Sequence, residues 1–396
     1  MKRLWAATLA AAVLAPAAGC SGAPRQAPAR ATLAPTSTPS APASPGVRPR
    51  GASPTTGAVA RRPTLERRLQ LVTTIRGDIT PKSVVASGFG LVFAQNMIYT
   101  HTITVYDRQG RLLRTIPDSV RPADFGLSWY AGLDRGGPVE AAFSPDGRHA
   151  YVSNYSMYGP GFGHPGDDVC SPSSAVDDSF LYRVDTATLR IDQVIPVGAV
   201  PKFLAVSPDG RLVLVSNWCS YSLSVVDAGT GRQVREVPIG RYPRGIVVDP
   251  TSRTAYVAVM GEDRVARVDL RTFSASSLPA IGDGPRHLVR DQTGRWLYVT
   301  LNGDGRVAKV DLRSGRVVSL VRTGSQPRSM TISADGQALY VVNYASDTIS
   351  KVRTSDMSVL QALPVGHHPI GITYDQGTGD VWVACYSGSI LVLRDS

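Results

Sequence analysis

Five cationic residues stand directly after prolines: Lys82, Lys202, Arg244, Arg286 and Arg328, following Pro81, Pro201, Pro243, Pro285 and Pro327. At Pro138 and Pro369 the same position holds an apolar residue, Val139 or Ile370. Lysine ammonium and arginine forks turned toward one point would hold an anion or an acidic loop of a partner. The alternative for each is a repeated consensus position, with the cation paired to an Asp or a carbonyl on a neighbouring unit. His287 beside Arg286, and the pair His367 and His368, offer general bases or metal ligands. Glu140, in GPVEAAF, puts a carboxylate at the start of an apolar strand, as a base or as a salt-bridge partner. No nucleophile–base pair can be named, and no calcium-loop spacing is present. His164, Asp167, Asp168, Asp177 and Asp178 therefore read as solvated loop groups, with no metal site among them.

The spacing of those prolines defines what must position the cations. Pro201, Pro243, Pro285, Pro327 and Pro369 recur every 42 residues, and Pro138 and Pro81 extend the series with two insertions. Each unit reads as a short apolar strand, a tight turn such as SPDGR (from Ser144 and from Ser207) or SADGQ (from Ser333), then further strands such as AYVSN and VAKVD. Gly after Asp supplies the positive φ of a tight hairpin. Seven such units, with no room for helices, predict an all-β, seven-bladed propeller of four-stranded antiparallel blades. The segments LYVVNYASDTISKV and VLVSNWCSYSLSVVD resemble the YVTN-repeat, YncE-like propellers over about residues 70–396. That resemblance implies the fold; propellers of this kind serve as binding proteins and as lactonases or lyases. The last unit ends after three strands, and LQLVTTI (Leu69 to Ile75) has the pattern of the missing fourth. The first strand of the domain is expected to close the last blade and remove an open edge.

In such a propeller the loops before the first strand of a blade and between its second and third strands share one face. Both insertions, near 119–137 and 156–178, are expected there, with the five cations forming a rim at the channel mouth. His287, His367, His368 and Trp218 complete the expected ligand-binding set, and Trp129, Tyr130, Tyr155, Tyr158, Tyr344 and Tyr386 are further stacking aromatics on that face. Cys170 and Cys219 lie in matching loops of neighbouring blades and are expected to form a disulfide. Cys385 occupies the place of Asn217 and Asn343 and reads as a small buried thiol.

The N-terminus supplies the address. Residues 1–19 have the basic start and short apolar core of a signal peptide. The stretch LAPAAGC resembles a bacterial lipobox with Cys20 as the lipid site, although Ala17 stands where Leu is usual. Simple cleavage after Ala17 or Ala18 is the alternative, giving a secreted protein. Residues 20–65 are rich in Pro, Ala, Ser and Arg and read as a disordered tether. The net charge is +11, but eight cations precede the first acid, Glu66, leaving +3 for residues 66–396. That weak positive charge argues against nucleic acid. The sequence as a whole reads as an exported, lipid-anchored, monomeric binding module of the cell envelope. Its partner is a protein or a small anion on the top face, and no cofactor is expected. A lactonase- or lyase-like enzyme with a channel acid–base or metal site is the alternative.

Overall fold

The computed structural model describes residues 63–156 and 169–396. The signal segment, Cys20, the tether to residue 62, Tyr158, His164, Asp167 and Asp168 lie outside them. The described chain is all-β, with short 3-10 turns and no α-helix. Seven antiparallel sheets follow one another in sequence. The inner strands are Pro81–Ala86, Asp134–Phe143, Pro201–Val206, Pro243–Val248, Pro285–Arg290, Pro327–Ile332 and Pro369–Asp375.

Burial explains the order within each blade. Second strands such as Ala338–Asn343 are buried at every position, because each lies between the inner and third strands and under a neighbouring blade. Fourth strands such as Leu112–Pro117 are mostly exposed. Apolar side chains on each blade face meet those of the next. Seven clusters of buried residues join the seven adjacent blade pairs, from Phe93 and Ile103 against Val152 round to Trp382 against Val92. The ring is closed by packing at every seam.

Closure by hydrogen bonds follows the expected route. Leu69–Arg76 pairs antiparallel with Ser389–Asp395, Leu69 opposite Asp395 and Arg76 opposite Ser389. The pairing is tied from the side by Lys351. Its Nζ donates to Asp395 Oδ1 at 2.6 Å and to the carbonyls of Thr64 and Arg67 at 2.7 and 2.9 Å. Tyr340 donates to the other oxygen of Asp395 at 2.6 Å.

Two local devices hold the loop geometry. On one face, Gly147, Gly210 and Gly336 each have φ of 71°, as the Asp-Gly hairpins require. On the other, the Asn at the end of a second strand clasps hydroxyls on the third: Asn217 Nδ2 donates to Ser222 and Ser224 at 3.0 and 2.8 Å, and Asn343 to Thr348 and Ser350 at 3.1 Å each. Cys385 takes this place in the last blade. It is buried, and burial pushes its thiol up to about 12.

Candidate functional site

The cations converge because each inner strand begins with a β-bulge. Pairing with the second strand skips the residue after the proline: Pro81 and Ser83 are paired but Lys82 is not, and the same skip passes over Lys202 and Arg328. In the fourth and fifth blades it takes in two residues, Arg244 with Gly245 and Arg286 with His287. A bulge re-aims the skipped side chain. The residue before the proline is also in the left-handed region at Val200, Tyr242, Gly284, Gln326 and His368, which turns the chain sharply into the strand.

The skipped residues of six blades therefore line one small void, five of them cationic and the sixth Ile370. Lys82, Lys202, Arg244, Arg286 and Arg328 surround it with Glu140 and His287, and its volume is about 20 Å³. Lys82, Lys202, Arg244 and Arg286 are each less than a tenth exposed. Gly245 lets the blades approach here: a Cβ on it would meet the carbonyl oxygen of Arg286 at 2.9 Å.

The cations face the channel and are also braced sideways. Arg286 Nη1 donates to the carbonyl of Arg328 in the next blade at 2.7 Å. Arg244 stacks over Trp218 at 4.3 Å, Arg328 over Tyr344 at 3.6 Å, and Lys202 lies 5.0 Å from the Tyr155 ring centroid. Trp218 itself is buried and stacked on Tyr242 at 4.4 Å. Its indole is thus a platform under Arg244, where the sequence suggested a surface for ligand stacking.

Among the residues lining the void Glu140 is the one carboxylate. Its Oε2 lies 3.8 Å from Lys82 Nζ, beyond hydrogen-bond reach. Burial lowers Lys82 to about 7; Glu140 opposes the shift, and Arg286, Arg244 and Lys202 add to it. Burial raises Glu140 in turn, against the pull of Lys82. His287 is partly buried, and burial with Arg286 and Lys82 lowers it to about 3. It is a neutral imidazole at ordinary pH. Tyr386 is raised by burial, with Arg286, Arg328 and Arg244 opposing. The arrangement is a desolvated positive field, the physical requirement for drawing in an anion.

His367 and His368 do not join this void. His367 Nδ1 bonds Asp347 Oδ2 at 2.9 Å, and the His368 backbone N–H donates to Asp347 Oδ1 at 2.8 Å. The two rings stack with centroids 3.6 Å apart, and His368 lies on Tyr344 at 4.1 Å. Tyr344 is therefore the link from this outer group to Arg328. Asp347, twenty residues upstream of His367, carries no sequence signal that would pair the two.

Cys170 and Cys219 form the expected disulfide, with Cα atoms 5.3 Å apart. Around it Met97, Val139, Tyr155 and Trp218 make a buried cluster beside the channel mouth. The Tyr221 hydroxyl donates to the Cys170 carbonyl at 2.8 Å, a second tie on this loop. The first insertion takes a different course from the rim placement. Its Val120 and Leu127 pack on Phe180, Tyr182 and Val194, in the third and fourth strands of the second blade. Its chain thus reaches the flank of the ring. Beneath it Asp134, buried, accepts from Tyr182 at 3.1 Å, and Asn154 bonds the buried Asp118.

His149, Asp185 and Asp192 are close enough to share a metal ion. Asp192 is already engaged by Arg183 at 2.8 and 3.0 Å, and Asp185 caps its own turn through Thr188 at 2.7 Å. A cation there would have to displace an arginine.

Residues 285–373 match the family model of the Cytochrome D1 heme domain. The matched segment carries Arg286, His287, Arg328, Asp347, His367 and His368. No curated protein matches the chain. Among solved structures, the chain is similar to Kuenenia stuttgartiensis hydrazine synthase, at 18% identity and a TM-score of 0.62, covering 81% of this chain and 97% of that one. The second likeness shows the propeller fold. The first overturns the expectation of no cofactor, since it is to a domain named for its heme.

Proposed function

We propose that this chain is an anion-binding propeller of the YVTN-repeat type, exported and held at the cell envelope by lipid on Cys20. Its channel mouth takes a small anion or an acidic side chain of a partner protein. One observation carries the reading: five blades each place a cation on a single void, against one carboxylate in its lining. Cations brought together at one point raise the local potential and draw an anion to it. Titration of the purified propeller with chloride, which is of the void's size, and with inorganic phosphate, which would sit at its mouth, tests the reading by calorimetry. Arg286→Met should weaken binding at least tenfold, as for loss of a charge-assisted hydrogen bond. Equal affinity in the variant, or no binding to the parent protein, would overturn it.

The family-model match favours a second reading, in which the anion is a heme bound through its propionates. The void of about 20 Å³ holds about one water and no macrocycle. The rim fits better. His367 is held by Asp347 through Nδ1, the carboxylate–histidine arrangement that orients a metal-ligating ring, and its other nitrogen is the donor. Arg328, at the edge of the cation group, would take a propionate. A bound heme would supply electron transfer or redox chemistry. Hemin titration followed at the Soret band tests this, with His367→Ala expected to abolish the shift. A Soret change unaltered in that variant would remove His367 from the reading.

A further inference from the structure

A second cavity lies away from the channel, on the flank of the ring between the outer strands Arg190–Val197 and Arg232–Pro238. It measures about 540 Å³, within the range of small-ligand pockets. The first insertion roofs it with Phe125 and Trp129, and Trp129 is 74% exposed. Asp178, Gln193, Arg232 and Glu236 add polar groups to the lining. The amide of Gln193 gives its Nε2 to the Thr230 carbonyl at 3.5 Å, while its buried Oε1 has no hydrogen-bond partner. Glu236 is oriented by Ser222, whose hydroxyl donates to Oε1 at 2.5 Å.

We propose that this flank pocket binds a saccharide, with one sugar ring stacked on Trp129 and its hydroxyls donated to Asp178 and Glu236. The lining selects that chemistry by exclusion. An anion meets two carboxylates. A simple cation meets Arg232. A pure hydrophobe leaves the two carboxylates desolvated with no donor. A sugar brings an apolar C–H face for the indole and several O–H donors at its edge, which matches a flat aromatic flanked by acceptors. Asp178 has its proton affinity raised by partial burial, with Glu236 and Asp177 contributing, so the two lining carboxylates are near enough to feel each other. A donor placed between them relieves that repulsion.

The test titrates the full propeller with maltotetraose, cellotetraose and chitotetraose, following tryptophan emission and, independently, heat. At least one should bind saturably. Trp129→Ala should weaken that binding by about tenfold, the upper range for one aromatic contact, and leave the melting midpoint unchanged because the side chain is exposed. Glu236→Leu should also weaken it, and excess inorganic phosphate should not compete. Failure of all three oligosaccharides to bind overturns the proposal. So does full affinity in Trp129→Ala, or binding of tetramethylammonium at the same site in their place. None of these outcomes bears on the channel cations, which the phosphate titration reads separately.

Discussion

Two buried lysines sit in opposite circumstances. Lys351, in the closure region, is fully buried and makes hydrogen bonds to a carboxylate and two carbonyls, all within 2.9 Å. Lys82, at the channel mouth, is nearly as buried, stands 3.8 Å from Glu140, and feels Arg286, Arg244 and Lys202. Burial lowers both. In the first, Asp395 opposes the shift through a hydrogen bond as well as its charge; in the second, neighbouring cations deepen it. A lysine whose donors are all used is part of the frame. A lysine held in a field of like charge, short of its own carboxylate, marks a place where negative charge is wanted.

The sharpest way to break this contrast is to remove Lys351. Lys351→Met leaves Asp395 buried without its ion partner, and the expected loss is about 3–5 kcal/mol in urea unfolding. A loss under about 1 kcal/mol would mean the closure does not depend on the pair. Opening the Cys170–Cys219 bond, by Cys170→Ser with Cys219→Ser, should cost about 2–4 kcal/mol. Thiol titration of the unfolded, unreduced propeller should find Cys385 alone, and three thiols would refute the bond.

Lys82 should show the opposite behaviour, through pH. Its folded pKa of about 7 lies below the ordinary 10.5, so between these values the unfolded chain binds more protons. Stability of the ligand-free protein therefore rises with pH across that window, and Lys82→Met should flatten the rise. Anion affinity should move the other way, falling as pH climbs through about 7, because the neutral amine no longer attracts. If the affinity profile of Lys82→Met keeps that step, another group is responsible. A comparable effect in the acid range concerns His287. Its folded value of about 3 lies below the ordinary 6.5, so its contribution is present above 6.5 and is lost as pH falls toward 3. His287→Phe should reduce the slope of acid destabilisation in that interval, measured by melting midpoints.

The sequence carried the fold in its repeats, because prolines at fixed spacing and Asp-Gly hairpins act locally and repeat in every blade. The strand from Leu69 that closes the ring was legible for the same reason: one blade lacked a strand and one strand lacked a blade. The neighbouring-blade geometry placed Cys170 beside Cys219. The direction of the five cations was not legible, since it rests on a backbone bulge that leaves no residue signature. The outward position of His367 depends on Asp347 and a stack on Tyr344, which are tertiary facts. The flank pocket was hidden because the path of the first insertion is set by Val120 and Leu127 finding Phe180 and Val194, not by any local pattern.

The closing strand has a consequence for how the protein is made. Leu69–Arg76 leaves the ribosome long before its partner Ser389–Asp395. Until then the strand has no sheet to join, and the seam between the first and last blades stays open. Folding of the ring is therefore completed only once that partner strand has emerged, however early the middle blades form. Any helper that delays misfolding would find its natural target in that waiting strand, where Leu71 and Val72 remain about half exposed even in the finished ring.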